Sequence, residues 1–478
     1  MGLRIKRFAK IIGFLAVLGA ALLIFYRVFR FKYDDGIYSL DAFYRLEEDS
    51  LDVAVLGSSH AFEAVDPAVL WEDHGIAAFD LCGSLQPVWN TYYYLKEAYK
   101  TQNPDLILLE AYCLTEDFND VEEGWTVKNY YGLRPSLDKL RAGMESVPKE
   151  QWKDFLPEWV RYHNRYRELD RSDFLPYKGQ ETYYRDWKGF SCNFAVMQPT
   201  SQEDFYTEET AALQEKTEAY YRRILELARE HGTPLMVFVS PYYGVTREQF
   251  GMYNEAAGIA AEYDVPFVNF NLYYDEIGLD FSEDGADWGH LNHVGSEKFT
   301  RYLGNYLKER YELPDHREDE AYASWDRNAR CMRQEKANHQ ITQVQDLSEY
   351  LSRIDQDSYT VILSVSGLSE QEREKMAAWL EAFEIDGATS RLLGTVVKEK
   401  GEFLFCAGEG AGYLWHRETP GGDMAVRERP ETGAEIYWGE LKQNKVEHGV
   451  NILVYDSVMQ TVIDAVGFDA EEEWKAVR

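Results

Sequence analysis

Cysteine is scarce and scattered. Cys82, Cys113, Cys192, Cys331 and Cys406 are the only five in 478 residues, and their wide spacing matches neither a zinc-ligand pattern nor a disulfide framework. Positive charge is also in deficit: 50 Lys and Arg against 83 Asp and Glu leave a formal net charge of -33. Phosphate binding needs a basic surface, so no nucleic-acid partner is expected, and acidic polymers should be repelled. General disorder is excluded by an aromatic content of 15%, which suits packed cores and is compatible with carbohydrate-facing surfaces. The length leaves room for two or three domains.

No small-x-small cleavage site follows Phe25-Tyr26-Arg27, which argues against a removable signal peptide. Ile11 to Phe25 is uncharged and apolar, preceded by Arg4, Lys6, Arg7 and Lys10 and followed by Arg27, Arg30 and Lys32. With the Phe8 and Phe29 flanks included and the basic side chains snorkelling, the run is long enough to span a bilayer. Residues 1–32 therefore read as an uncleaved single-pass anchor in the cell membrane. The basic flanks bias the N-terminus only slightly inward, which places the remainder outside the cytoplasm.

From Asp52 onward short apolar runs alternate with helical stretches, the pattern of an α/β fold with a parallel sheet and crossover helices. Strands are expected at Val53–Leu56, Ala77–Leu81, Asp105–Glu110, Leu235–Ser240 and Val265–Phe270. Helices are expected over Tyr92–Lys100, Glu208–Glu230, Thr246–Tyr263 and Gly295–Glu309, with another starting in Ala61–Leu70. Between about 116 and 202 the alternation is lost. Trp125, Trp152, Trp159 and Trp187 fall there, in an insertion that reads either as a lid or substrate platform or as a subdomain packed on the core.

Two segments carry chemistry. The first apolar run stops at Gly57-Ser58-Ser59-His60, a tight turn that lifts a hydroxyl out where open α/β sheets bind ligands. The second is Asp287-Trp288-Gly289-His290-Leu291-Asn292. An aspartate three residues before a histidine can fix one imidazole nitrogen while the other faces a nucleophile. A serine hydroxyl needs such help at neutral pH, so Ser59, His290 and Asp287 are expected to meet as nucleophile, base and orienting carboxylate. His60 is expected as a solvent-exposed turn residue, or as pocket lining. Asn292 and His293 should cap the last helix. His290, His293 and Asp287 lack a further ligand for a metal site, and no metal or cofactor is expected.

Gly57-Ser58-Ser59, Asp80-Leu81-Cys82-Gly83-Ser84 and Asp287-x-x-His290 resemble the first, second and last sequence blocks of SGNH/GDSL-type hydrolases, over roughly residues 50 to 312. The likeness is closer to membrane-anchored envelope acyl-transfer proteins of that superfamily, such as the teichoic acid D-alanyl transfer protein and alginate O-acetyltransferase-like proteins. The resemblance implies a flavodoxin-like parallel sheet with flanking helices, catalytic roles for Ser59, Asp287 and His290, and an oxyanion hole from the amides of Ser59 and Gly83. It also implies O-acyl transfer or ester hydrolysis on cell-surface polysaccharide, with a multispanning partner of the membrane-bound O-acyltransferase type. The other reading is a non-catalytic scaffold that uses the fold to bind glycan. The family's third block supplies an asparagine, but the matching strand end reads Leu109-Glu110-Ala111-Tyr112. Loss of such a donor costs on the order of 10²- to 10³-fold in turnover unless another group substitutes. Glu110, Tyr112, His60 and Asn292 are thus the candidate substrate-binding residues.

The organisation expected is an anchor at 1–32, an SGNH-like domain at 33–312, a charged loop-like linker at 313–340 and a β-rich α+β domain at 341–478. In the last, Tyr359–Val365, Gly449–Asp456 and Gly467-Phe468-Asp469 resemble the interleukin-like EMT inducer domain, which binds sugars in some glycosyltransferase stems. Trp415, His416, Tyr437 and Trp438 are its candidate sugar-stacking residues, with core filling as the alternative.

Overall fold

Val53–Gly57 (β1), Ala78–Cys82 (β2), Leu106–Glu110 (β3), Leu235–Val239 (β4) and Phe267–Asn269 (β5) form one sheet in the order β2-β1-β3-β4-β5. Every pairing is parallel. The first four strands are buried at every position, which is why they read as unbroken apolar runs rather than alternating ones. This is a computed structural model describing residues 2–118, 123–169, 171–174, 187–385, 391–429 and 433–478. Its chain divides into two compact units between Ala329 and Arg330.

In the first unit, helix Val88–Ala98 packs on β1 and against helix Glu215–His231. On the other face Val53, Val55, Leu108 and Phe238 share a core with Phe299, Leu303 and Leu307 of helix His293–Arg310. Strand order reverses between β1 and β3, so the end of β1 opens at the switch point where α/β sheets hold ligands. The helix expected after Ser59 is interrupted. One turn covers Ser59–Phe62, and helix Pro67–His74 starts anew because Asp66 caps it, accepting from the Ala68 amide at 2.9 Å, with Pro67 at its first position. The helix expected from Glu208 begins only at Glu215. Its predecessor segment is held along helix Arg247–Ala261 instead, where the Asn254 amide donates to the Thr207 and Glu209 carbonyls at 2.8 and 2.9 Å.

Of the insertion expected at 116–202, residues 119–122, 170 and 175–186 lie outside those described. The rest includes helices Glu123–Tyr131, Leu137–Ser146 and Glu158–Asn164. At the N-terminus, helix Gly2–Phe29 contains a 23-residue apolar span, Arg7–Phe29, within which an 18-residue window reaches a mean hydropathy of 2.4 with none of it buried. Among the described residues no other helix is long and apolar enough to cross a membrane.

The stretch expected as a loop-like linker holds helix Ala323–Gln343. Trp325, Asn328, Met332 and Ile341 are buried on it, and its many charged side chains mask that periodicity in the sequence. In the second unit, Tyr359–Ser366 (β6) and Gly449–Asp456 (β7) are central to a six-stranded antiparallel sheet, and a four-stranded antiparallel sheet accompanies it. Val361, Leu363 and Val365 face one core with Met376 and Leu380 of helix Glu370–Ala382. Ile362 faces a second core with Met424, Val426 and Ile436 of the smaller sheet. Burial on both sides explains the continuous apolar run. Trp415 and Trp438 pack against that second core, while His416 is exposed.

Candidate active site

Gly57 ends β1 at φ +153°, and a Cβ there would lie 2.8 Å from the Glu110 Cβ and 3.2 Å from the Ala61 Cβ. Only glycine fits both the backbone and the space. Ser58 then caps the following turn, its Oγ accepting from the His60 amide at 3.3 Å. Ser59 is left half-buried at the rim, on the first residue of that turn.

The aspartate-histidine loop is pinned from both sides. Gly285 and Leu291 form an isolated bridge, and the Ala286 amide donates to the His290 carbonyl at 2.9 Å. Beyond it, the Asn292 side chain accepts from the Val294 and Gly295 amides at 2.9 and 3.2 Å and donates to the Glu283 carbonyl at 2.7 Å. Within the loop, Asp287 Oδ1 accepts from the Gly289 and His290 amides at 2.7 and 3.0 Å. The same carboxylate meets His290 Nδ1 at 2.9 and 3.0 Å, and His290 Nε2 lies 2.8 Å from Ser59 Oγ. With Nδ1–H donating to Asp287, the Nε2 lone pair is the one left for the serine proton.

Charge around the imidazole is arranged to favour its protonated form. Burial pushes the His290 pKa down, but the Asp287 hydrogen bond and the charges of Glu63 and Asp287 together carry it above the usual value. The His290 hydrogen bond holds Asp287 down at about 2, so it stays ionised. Burial pushes Glu110 up to about 8 despite the Tyr112 amide donating to it at 3.0 Å. Glu110 is thus largely a neutral acid at pH 7, and its Oε2 has no hydrogen-bond partner among the described residues.

The structure therefore brings Ser59, His290 and Asp287 together. Gly83 lies one residue past the Gly57–Cys82 pairing, level with Ser58. A side chain there would strike Asn129 Oδ1. Asn129 comes from the insertion, and its amide donates to the Ser84, Leu85 and Trp125 carbonyls at 3.0, 3.4 and 2.9 Å. It locks the loop after β2. His60 is not a solvent-exposed turn residue: it is 3% exposed, stacked on Tyr112 at 3.5 Å between centroids and edge-on to Tyr242 at 4.8 Å. Those rings come from the ends of β3 and β4, and burial, with the His290 charge, keeps His60 well below its usual pKa. Asn292 is buried and occupied as a helix cap, with its side chain committed to the loop.

Sequence reasoning missed Glu63 and Asn193. The Asn193 amide donates to Glu63 Oε2 at 2.9 Å, and the Asn193 carbonyl accepts from the His293 amide at 2.8 Å. Glu63 falls four residues after Ser59, on the same side of a helical turn, which is the one signal that could have found it. Among the described residues no group of three or more His, Cys, Asp or Glu could hold a metal ion. Compared with protein-family models and with curated protein sequences, the chain matches none.

Proposed function

We propose that the chain is a membrane-anchored serine acyltransferase or esterase of the SGNH type, acting outside the cytoplasm on O-acyl groups of cell-surface glycan. The 2.8 Å approach of His290 Nε2 to Ser59 Oγ, with Asp287 behind Nδ1, carries this reading. Ser59 Oγ attacks the ester carbonyl while its proton passes to His290 Nε2, and the ionised Asp287 stabilises the imidazolium. The oxyanion is assigned to the amides of Ser59 and Gly83. His290 returns its proton to the leaving alcohol, which gives an acyl-serine. A second hydroxyl, activated by the same imidazole, then takes the acyl group, and that hydroxyl belongs either to water or to a sugar.

A net charge of -33 favours a neutral glycan over a polyanionic acceptor. The superfamily likeness adds a multispanning O-acyltransferase partner as acyl donor. Hydrolysis of p-nitrophenyl acetate by the detergent-solubilised full chain tests the enzymatic reading. Ser59→Ala should lower turnover by at least roughly 10³-fold; equal rates with and without the hydroxyl would leave only a glycan-binding shell.

A further inference from the structure

The N-terminal helix does not end in a free linker. Around its last turn, Tyr26 meets Tyr162 edge-on at 5.8 Å between centroids, and Phe31 meets the same ring at 5.6 Å. Arg165 donates to the Arg30 and Val28 carbonyls at 2.6 and 3.5 Å, while Asp173 binds both Arg165 and Lys32. The insertion is therefore fastened to the point where the apolar run stops.

Beside each of these fastening residues stands a large aromatic side chain turned to solvent. Trp159, one helical turn before Tyr162, is 66% exposed; Tyr166, next to Arg165, is 52% exposed; Phe174, next to Asp173, is 62% exposed. Isolated exposed aromatics need no explanation. Three at the mouth of a helix fit to cross a bilayer are different, because Trp and Tyr concentrate at the headgroup level, where an apolar ring and a polar edge are both satisfied. Arg167 donates from Nε to the Tyr166 hydroxyl at 2.6 Å, so the polar edge of that ring is directed at a cation suited to phosphate. A protein with a net charge of -33 is not drawn to an anionic membrane by its overall field, so ring burial has to supply the adhesion.

We infer that Trp159, Tyr166 and Phe174 form a lipid-contacting collar that seats the first unit on the bilayer surface beside its own anchor. The collar also fixes the height of the site. Asp35 Oδ2, six residues beyond Phe29, accepts from the Ser84 amide at 2.7 Å. Six extended residues and a side chain span at most roughly 25 Å, so the loop carrying Gly83 is held within that distance of the end of the helix.

This inference depends on helix Gly2–Phe29 lying in a membrane and is independent of the chemistry assigned to Ser59. Helix Gly2–Phe29 contains no tryptophan, so indole quenching by lipid reports only on the rest of the chain. The full chain is reconstituted in phosphatidylcholine vesicles with and without lipid brominated near the headgroup, and the vesicles are floated. The expected result is co-flotation and a loss of emission in brominated vesicles that disappears in Trp159→Phe and returns when Phe174→Trp is added. Equal quenching of wild type and Trp159→Phe, or none in either, would overturn the collar. Failure to float would overturn the anchor and the collar together. Absent quenching accompanied by a dimer that Trp159→Ser dissociates would assign the patch to a second copy of the chain.

Discussion

The imidazole of His60 lies flat on the phenol ring of Tyr112, 3.5 Å between centroids and 11° between planes, and its centroid is 4.9 Å from that of His290. Two histidines this close cannot both carry charge at low cost, and burial settles which stays neutral. His60 is then a packing residue behind the base. Replacing it with Phe keeps a ring in the stack and should leave stability within about 1.5 kcal/mol. His60→Ala removes the ring and should cost about 2–4 kcal/mol. Urea denaturation followed by near-ultraviolet circular dichroism checks both values.

Asp287 sets both the tautomer and the basicity of His290, so Asp287→Asn should act on rate and on pH profile together. The expected fall in kcat is roughly 10³- to 10⁴-fold. General-base function requires neutral His290, and its raised pKa moves the ascending limb of kcat/KM to higher pH than an ordinary histidine would give. Removing the carboxylate should move that limb to lower pH. A limb that stays in place would separate Asp287 from the titration of the base.

Glu110 titrates at about 8 in the fold against an ordinary 4.5. The folded state therefore binds more protons than the unfolded state between those values, and stability should fall as pH rises from about 4.5 to about 8, then level off. Glu110→Gln keeps an oxygen for the Tyr112 amide and cannot ionise. Its thermal midpoint, followed from pH 5 to 9, should lack the component of the decline present in wild type. Parallel curves would show that Glu110 is ionised throughout.

The first four strands of the first sheet were legible because burial on both faces leaves a signature within five residues, whereas β5, half-buried at Phe267 and Asn269, keeps only three residues of the six-residue run expected there. Their helices were legible in kind but not in their starts. Asp66-Pro67 divides what periodicity alone joins, and the segment before Glu215 spends its carbonyls on Asn254 rather than on a first turn. Ser59, Asp287 and His290 could be named because each segment carries its own chemistry. The setting of His60 could not, since Tyr112 and Tyr242 reach it only after β3 and β4 have been brought beside β1. Asn129 shows the same limit. Nothing in helix Glu123–Tyr131 announces that one of its amides will close the loop after β2.

The contact between Asp35 and the Ser84 amide makes the connection after the helix a short leash. With the helix embedded, the serine edge sweeps a thin layer over the lipid rather than a volume of solution. Encounters with a membrane-borne donor then scale with how densely it populates the surface and with how fast it diffuses laterally. Diluting the cells would leave that rate unchanged, whereas thinning the donor within the bilayer would slow it in proportion.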